Sequence, residues 1–304
     1  MDTLEFASDQ LTRLLNRLVY QVNATIARRD SDAIHDLRVA VRRLAQGLIV
    51  FKPCFASKKP KKIRRFLKAI MTRAGEVRDC DIAIQLLSKI QSAGTVQLRN
   101  ELNVRRRAAV DALLEGLKRW KARRLSAKWR RELEAARLLD NPSHFTIEET
   151  ARQILPRDAK GFFECGEQAA RPQASAEELH RFRIAAKKFR YSLELFADLY
   201  QAAASRWLER LKKTQQLLGS VNDCRAARSL ISAIGIYRKI EAALKKRQER
   251  KMSEFRRFWA HEFSNTPAAR QWVALLRHPG TGARPRKPIA SSGRPAAVLL
   301  AAGA

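Results

Sequence analysis

The feature that most constrains this chain is an ordered pair of motifs that occurs twice. Residues 35–44 read HDLRVAVRRL and residues 180–189 read HRFRIAAKKF, so every basic position of the first segment is kept in the second. Residues 66–80 (FLKAIMTRAGEVRDC) and 210–224 (RLKKTQQLLGSVNDC) form the second pair, at an offset that differs by only one residue. Such ordered repetition indicates an internal duplication, which sets the architecture and doubles any site that the unit carries.

Hydrophobic periodicity predicts an all-helical fold. Apolar residues recur at spacings of three and four, and alternating β-branched runs bounded by turn residues are missing. Breaks at Pro, Gly and capping residues predict helices at about 5–28, 31–52, 60–74, 79–91 and 95–137. The second half repeats the scheme at about 147–169, 176–200, 204–218, 223–235 and 238–263, with a short helix after Pro267. Two helical bundles related by a pseudo-twofold axis are the simplest assembly.

The repeat also predicts the domain organisation. We expect a first helical repeat over residues 1–140 and a second over residues 141–277. Residues 278–304 are rich in Pro, Gly, Ser, Ala and Arg without periodicity, which is typical of a disordered basic tail.

The charge balance predicts a polyanionic partner. The 304 residues include 61 Lys and Arg against 30 Asp and Glu, which gives a formal net charge of +31 and a pI near 11.0. Because this excess strains the folded state by self-repulsion, we expect a partner such as nucleic acid, anionic lipid or a phosphate polymer.

Cysteine usage and the chain start suggest a reducing, cytoplasmic environment. Cys54, Cys80, Cys165 and Cys224 form no C-x-x-C pair, and Cys80 and Cys224 occupy equivalent positions, so we interpret them as small core residues. We therefore expect no metal and no other cofactor. The first residues lack the basic flank and apolar run of a signal peptide, and no segment has membrane-spanning length.

Each copy of the first motif places its basic residues on one side of a helix. His35, Arg38 and Arg42, here called the first stripe, share a narrow sector opposite the apolar residues. The second stripe consists of His180, Arg183 and Lys187, and Arg43 and Lys188 flank the two stripes. Like charges at i and i+4 repel, so each stripe lowers the stability of its own helix. This cost indicates that the stripes serve another purpose, such as binding an anionic ligand. A phosphate oxygen beside either histidine would favour imidazolium.

The second motif predicts a turn followed by a helix start. We expect the chain to turn after Gly75 and after Gly219. Asp79 and Asp223 would then cap the next helix, or else hold a basic neighbour such as Arg78. The second copy has asparagine at the position of Arg78, so a contact from that position would be one-sided.

Over residues 5–265, the two motifs together resemble the CHAD domain, the conserved histidine α-helical domain. The resemblance implies two four-helix bundles with pseudo-twofold symmetry and a basic central groove. It also implies noncatalytic binding of inorganic polyphosphate and association with polyphosphate granules. Carried over by motif position, the implied binding residues are His35, Arg38, Arg42, Arg43, Lys68, Arg78, His180, Arg183, Lys187, Lys188 and Lys212.

Three other functions remain open at this stage. Nonspecific nucleic-acid binding has the same electrostatic signature, but such sites usually interleave aromatic residues with the cations, and only Tyr191 is predicted on the basic side. A phosphate-cleaving enzyme usually shows a phosphate-cradling loop or a carboxylate set for Mg²⁺, and neither motif is found. An anionic membrane surface would favour isolated amphipathic cationic helices rather than stripes opposite a core face.

Overall fold

The computed structural model describes residues 3–54, 59–137, 146–264 and 266–279. Every regular element within these ranges is helical, which confirms the predicted fold class. The first half contains α1 (Thr3–Arg28), α2 (Ser31–Val50), α3 (Lys59–Leu87), α4 (Thr95–Ala122) and α5 (Leu125–Arg137), with a short 3₁₀ turn at Lys52–Cys54. The second half contains α6 (Ile147–Ala170), α7 (Ala176–Leu195), α8 (Ala197–Ser232), α9 (Arg238–Glu262) and α10 (Thr266–Leu276).

Helix packing follows the same order in the two halves. In the first half α1 packs on α2, α2 on α3, α3 on α4, and α5 returns to α1. The second half repeats these contacts with α6 to α10. This arrangement is compatible with the internal duplication. The proposed boundary between residues 140 and 141, and nearly all of the predicted tail, lie outside the described residues.

The predicted turns after Gly75 and Gly219 are wrong. Both glycines lie inside long helices, α3 and α8, which continue through the predicted breaks. The apolar face continues past each glycine, since Ala74 and Val77 are buried in α3. Burial of that face outweighs the helix-propensity cost of one glycine, about 1 kcal/mol relative to alanine.

Two other predicted helices have different limits. The long helix expected at 95–137 is divided into α4 and α5, and Arg124 takes a left-handed conformation at the break (φ 47°). This break lets Trp129 of α5 pack edge-on against Phe66 and Trp120. The helix expected at 176–200 ends at Leu195, and Gln201 near the start of α8 has a positive φ of 45°.

A large hydrophobic core runs through both halves. Phe6, Phe51 and Phe196 join them, with ring centroids 6.0–6.4 Å apart. In the second half Trp259 packs so closely on α6 that a Cβ at Gly166 would lie 1.9 Å from its ring. Only glycine fits at that position without displacing the indole.

The two halves also meet where equivalent helices cross. The Gln46 amide of α2 donates to the Ser192 hydroxyl of α7 over 2.9 Å, beside an Arg43–Glu194 ion pair of 2.8 Å. Further along, α3 and α8 share a second core that includes Ala83, Leu87 and Ile231. These crossings fix how the two stripes are placed relative to each other.

Candidate functional site

Side-chain caps fix where the two stripe helices begin. Asp30 accepts a hydrogen bond of 2.7 Å from the Ala33 amide at the start of α2. Ser175 and Glu178 form a reciprocal capping box at the start of α7, with hydrogen bonds of 3.1 and 2.6 Å. Each cap satisfies backbone donors that the first helical turn leaves without partners. The stripes therefore begin about one turn inside each helix.

Cations from both stripes lie close enough to affect each other's ionisation. Burial, together with the charges of Arg42, Arg78 and Arg183 and against that of Asp79, lowers the pKa of Arg38 to about 10. Burial also lowers the pKa of Arg183, assisted by the charge of Arg42 from the other half. The two stripes therefore approach each other, and we call Arg38, Arg42, Arg183 and Lys187 the central cluster.

Lys187 has the largest pKa shift within the central cluster. Burial, followed by the charges of Arg183 and Arg42, lowers its pKa to about 7. An ordinary lysine titrates near pH 10.4. The unliganded protein therefore holds a lysine that exchanges its proton near neutral pH.

Asp79 and Asp223 lie beside the central cluster in the interiors of α3 and α8. The prediction that they cap helices is therefore wrong, because no helix begins there. Loss of water raises the pKa of Asp223, opposed by the charges of Arg183 and Arg78, and raises that of Asp79, opposed by Arg38 and Arg183. The other predicted role, holding basic neighbours, agrees with these interactions.

The guanidinium of Arg38 rests on α3. Its Nη1 donates to the backbone carbonyl of Met71 over 3.3 Å, and a Cβ at Gly75 would lie 3.2 Å from the same nitrogen. The missing side chain of Gly75 thus allows the close approach. Among the described residues, the buried Nε of Arg42 has no hydrogen-bond partner, and an unsatisfied buried donor is costly unless a ligand accepts from it.

Arg43 and Lys188, which flank the stripes, contact acids outside the central cluster. Arg43 pairs with Glu194 at 2.8 Å. Lys188 Nζ lies 2.8 Å from Asp158, whose side chain is fully buried and also accepts from Ser192 at 2.8 Å. These ion pairs join helices, so the structure gives both residues a role in packing.

Four of the remaining predicted residues, Arg78, Lys68 and the two stripe histidines, lie beside members of the central cluster. Arg78 donates to the Ser31 hydroxyl over 3.3 Å. Partial burial of the imidazole is the largest cause of the lowered pKa of His35, and the charge of Arg78 is the second. Lys68 is exposed on α3 and lines, with Arg42, an open cavity of about 460 Å³ between α2 and α3. Lys212 and both stripe histidines are exposed.

Sequence reasoning missed one cation beside the second stripe. The charge of Arg225 in α8 helps to lower the pKa of Arg183, although burial and the charge of Arg42 have larger effects. Its guanidinium also donates to the carbonyl of Ala176 at the start of α7. The repeat gave no signal for it, because Asp81 stands at the corresponding position of the first half. Conversely, Tyr191 is only 6% exposed and lies beside Arg190, so its predicted position on the open basic side is wrong.

The described residues contain neither a candidate metal site nor a candidate membrane span. No cluster of three or more His, Cys, Asp or Glu side chains has an arrangement suited to a metal ion there. Within the same ranges, no helix has both the length and the apolar character needed to cross a membrane.

The fold and the central cluster define a helical protein with a cationic site shared by two repeated halves. The CHAD domain family model matches residues 9–232, so the chain belongs to the CHAD family. This family is associated with polyphosphate binding and is not typically catalytic.

Two solved structures share this fold. The crystal structure of the CHAD domain from the plant Ricinus communis is similar at 26% identity and a TM-score of 0.69, over 92% of this chain and 94% of that one. PptA from Streptomyces chartreusis shares the fold at 15% identity and a TM-score of 0.55, over 91% and 99% of the two chains. No curated protein matches the chain.

Proposed function

We propose that this protein binds inorganic polyphosphate, without cleaving it, along a groove lined by both stripes. The observation that carries the proposal is the central cluster, in which four partly buried cations from two halves lie beside the carboxylates of Asp79 and Asp223. Burial, and after it their mutual repulsion, lowers the pKa values of Arg38, Arg183 and Lys187. A bound polyanion reverses that repulsion.

The chemistry of the cluster suits a phosphate polymer. Polyphosphate carries charge at every repeat and no bases to recognise, so arginine forks and lysine point charges are sufficient. The buried Nε of Arg42 has no hydrogen-bond partner among the described residues, so it is a donor that a bound anion would satisfy. We assign no catalytic step, because Asp79 and Asp223 interact with arginines and the remaining groups bind phosphate oxygens.

The same structure disfavours single-stranded nucleic acid as the specific ligand. Sequence-tolerant sites gain about 1–3 kcal/mol for each base stacked on an aromatic side chain. The one candidate aromatic, Tyr191, is buried, and the phenylalanines of α7 are in the core. Electrostatic attraction to nucleic acid at low salt is still expected from the net charge of +31.

Competition binding at near-physiological salt tests the proposal. Labelled long-chain polyphosphate is displaced by unlabelled polyphosphate or by single-stranded DNA, using wild type and Arg38→Gln/Arg183→Gln. We expect wild type to prefer polyphosphate and the variant to lose at least tenfold in affinity. The matched control is Arg107→Gln/Lys245→Gln, which removes the same charge from exposed sites and should lose far less.

Two results would contradict the proposal. Equal or tighter binding of DNA would identify a generic cationic protein. Equal losses in the groove variant and the matched control would show that net charge, rather than the central cluster, determines binding.

Granule association is the cellular part of the proposal. A fluorescently tagged chain is expressed in bacterial cells that accumulate polyphosphate and in cells that cannot synthesise it. We expect foci on the granules only in the first case, and diffuse signal for Arg38→Gln/Arg183→Gln. Foci that persist without polyphosphate would refute this part.

A further inference from the structure

A small cavity lies at the outer end of the second stripe. It has a volume of about 140 Å³ and lies between α7, α8 and α9. His180, Arg183 and Arg225 supply its cationic side, and Asn222 and Gln248 supply amides. Leu218 and Val221 are among its apolar lining, and none of its lining residues is acidic.

The two halves differ here at two positions, where Arg78 and Asp81 of the first half correspond to Asn222 and Arg225 of the second. In the first half Arg78 stands at the position of Asn222, and its guanidinium reaches the Ser31 hydroxyl at the start of α2. In the second half the short Asn222 leaves space, and Arg225, from one turn further along α8, reaches the start of α7 instead. In the second half the short Asn222 therefore borders a cavity whose lining includes the cation of Arg225.

The cavity suits a terminal phosphate better than an internal one. A terminal phosphate ionises a second time with a pKa near 6 and presents three oxygens, whereas an internal phosphate carries one charge and continues in both directions. Residues of three helices line the cavity, and its volume of about 140 Å³ is small enough to suit a single phosphate group rather than a run of them. Two guanidinium groups and an imidazole can donate to a doubly charged group there.

We propose that this cavity binds the terminal phosphate of polyphosphate and fixes the end of the chain beside the second stripe. The inference rests on the proposed function, since the rest of the polymer would continue along the central cluster. It makes the binding asymmetric, because the first half has Arg78 where the second half has space for a phosphate. The protein then recognises a chain end as well as the internal phosphates of the polymer.

The test compares polyphosphate of one defined length with the same polymer whose ends are blocked as phosphoramidates of an uncharged amine, so that each terminal phosphate keeps one negative charge instead of two. Wild type should bind the free-ended polymer at least fivefold more tightly. Asn222→Arg should fill the cavity and reduce this ratio towards one. Because the variant adds a cation, its affinity for the blocked polymer should be retained or increased, which separates loss of the cavity from loss of charge or fold.

Further variants refine the comparison. Arg225→Gln should weaken binding of the free-ended polymer more than that of the blocked polymer. The control Arg181→Gln removes an exposed cation next to His180 and should weaken both equally. Inorganic orthophosphate is added as a competitor to distinguish the source of the phosphate group.

The outcomes separate the two proposals. If wild type binds both polymers equally, or if Asn222→Arg keeps the same ratio, the end-binding inference is wrong while polyphosphate binding stands. If micromolar orthophosphate abolishes the ratio, the cavity binds free phosphate instead. If wild type binds neither polymer, the proposed function itself fails.

Discussion

The side chains of Gln46 and Ser192 form a buried hydrogen bond, 2.9 Å long, between equivalent helices of the two halves. The Ser192 hydroxyl in turn donates to Asp158 over 2.8 Å. This chain of contacts fixes the crossing of α2 and α7, and with it the placement of the stripes.

Ser192→Ala should therefore destabilise the protein. Gln46 would lose its acceptor and buried Asp158 a donor, and each unsatisfied buried group costs about 1–3 kcal/mol. Urea unfolding should show a lower midpoint for Ser192→Ala. Ser229→Ala, at an exposed position of α8, should change the free energy of unfolding by less than about 0.5 kcal/mol. A midpoint unchanged in both variants would show that this hydrogen bond does not stabilise the crossing of α2 and α7.

Polyphosphate binding should weaken as the pH rises above neutrality. The pKa of Lys187 is about 7 in the free protein, and a bound polyanion raises it, so binding takes up a proton above pH 7. Between pH 7.5 and 8.5 the affinity should fall severalfold, with tenfold as the limit for one proton. His35 adds little in this window, because burial and neighbouring arginines lower its pKa.

Lys187→Arg provides the matched variant for this pH dependence. Arginine stays protonated throughout the range, so the variant should show a nearly flat affinity between pH 7.5 and 8.5. Calorimetry in buffers of different ionisation enthalpy should detect proton uptake in wild type and much less in the variant. The same pH slope in both proteins would assign the proton to another group.

The two equivalent glycines should respond differently to alanine. Nothing lies within 4 Å of a Cβ at Gly219, so Gly219→Ala should stabilise α8 by about 0.5–1 kcal/mol and leave binding unchanged. A Cβ at Gly75 would meet the Arg38 guanidinium at 3.2 Å, so Gly75→Ala should displace it and weaken polyphosphate binding. Thermal unfolding and binding titrations measure both effects. Identical binding by the two variants would contradict the proposed position of Arg38.

Removing a carboxylate from the central cluster should strengthen binding. Asp223 interacts with Arg183 and repels a polyanion, so Asp223→Asn should raise the affinity roughly two- to tenfold at low salt. Asp111→Asn makes the same charge change at an exposed position of α4 and serves as the control in the same titrations. A lower affinity for Asp223→Asn would instead show that this carboxylate positions Arg183 for the ligand.

Much of the fold could be predicted from the sequence. Periodicity predicted the helices, and the repeat predicted that they follow the same order twice. The predicted breaks at Gly75 and Gly219 were wrong because a buried helix face overrides the propensity of one residue. The break at Arg124 was missed because it depends on how α5 packs back onto α1 and α4.

The candidate site, like the fold, could be predicted from the sequence only in part. The sequence alone determined the helical class and the position of each stripe on its helix, because a helical wheel depends only on local geometry. Only the tertiary structure decided that the two stripes approach each other and that the pKa of Lys187 falls to about 7. It also decided that Lys188 forms an ion pair with Asp158 and that Asn222 borders a cavity. These features arise where helices distant in sequence meet, and burial and neighbouring charge then set the ionisation of each side chain.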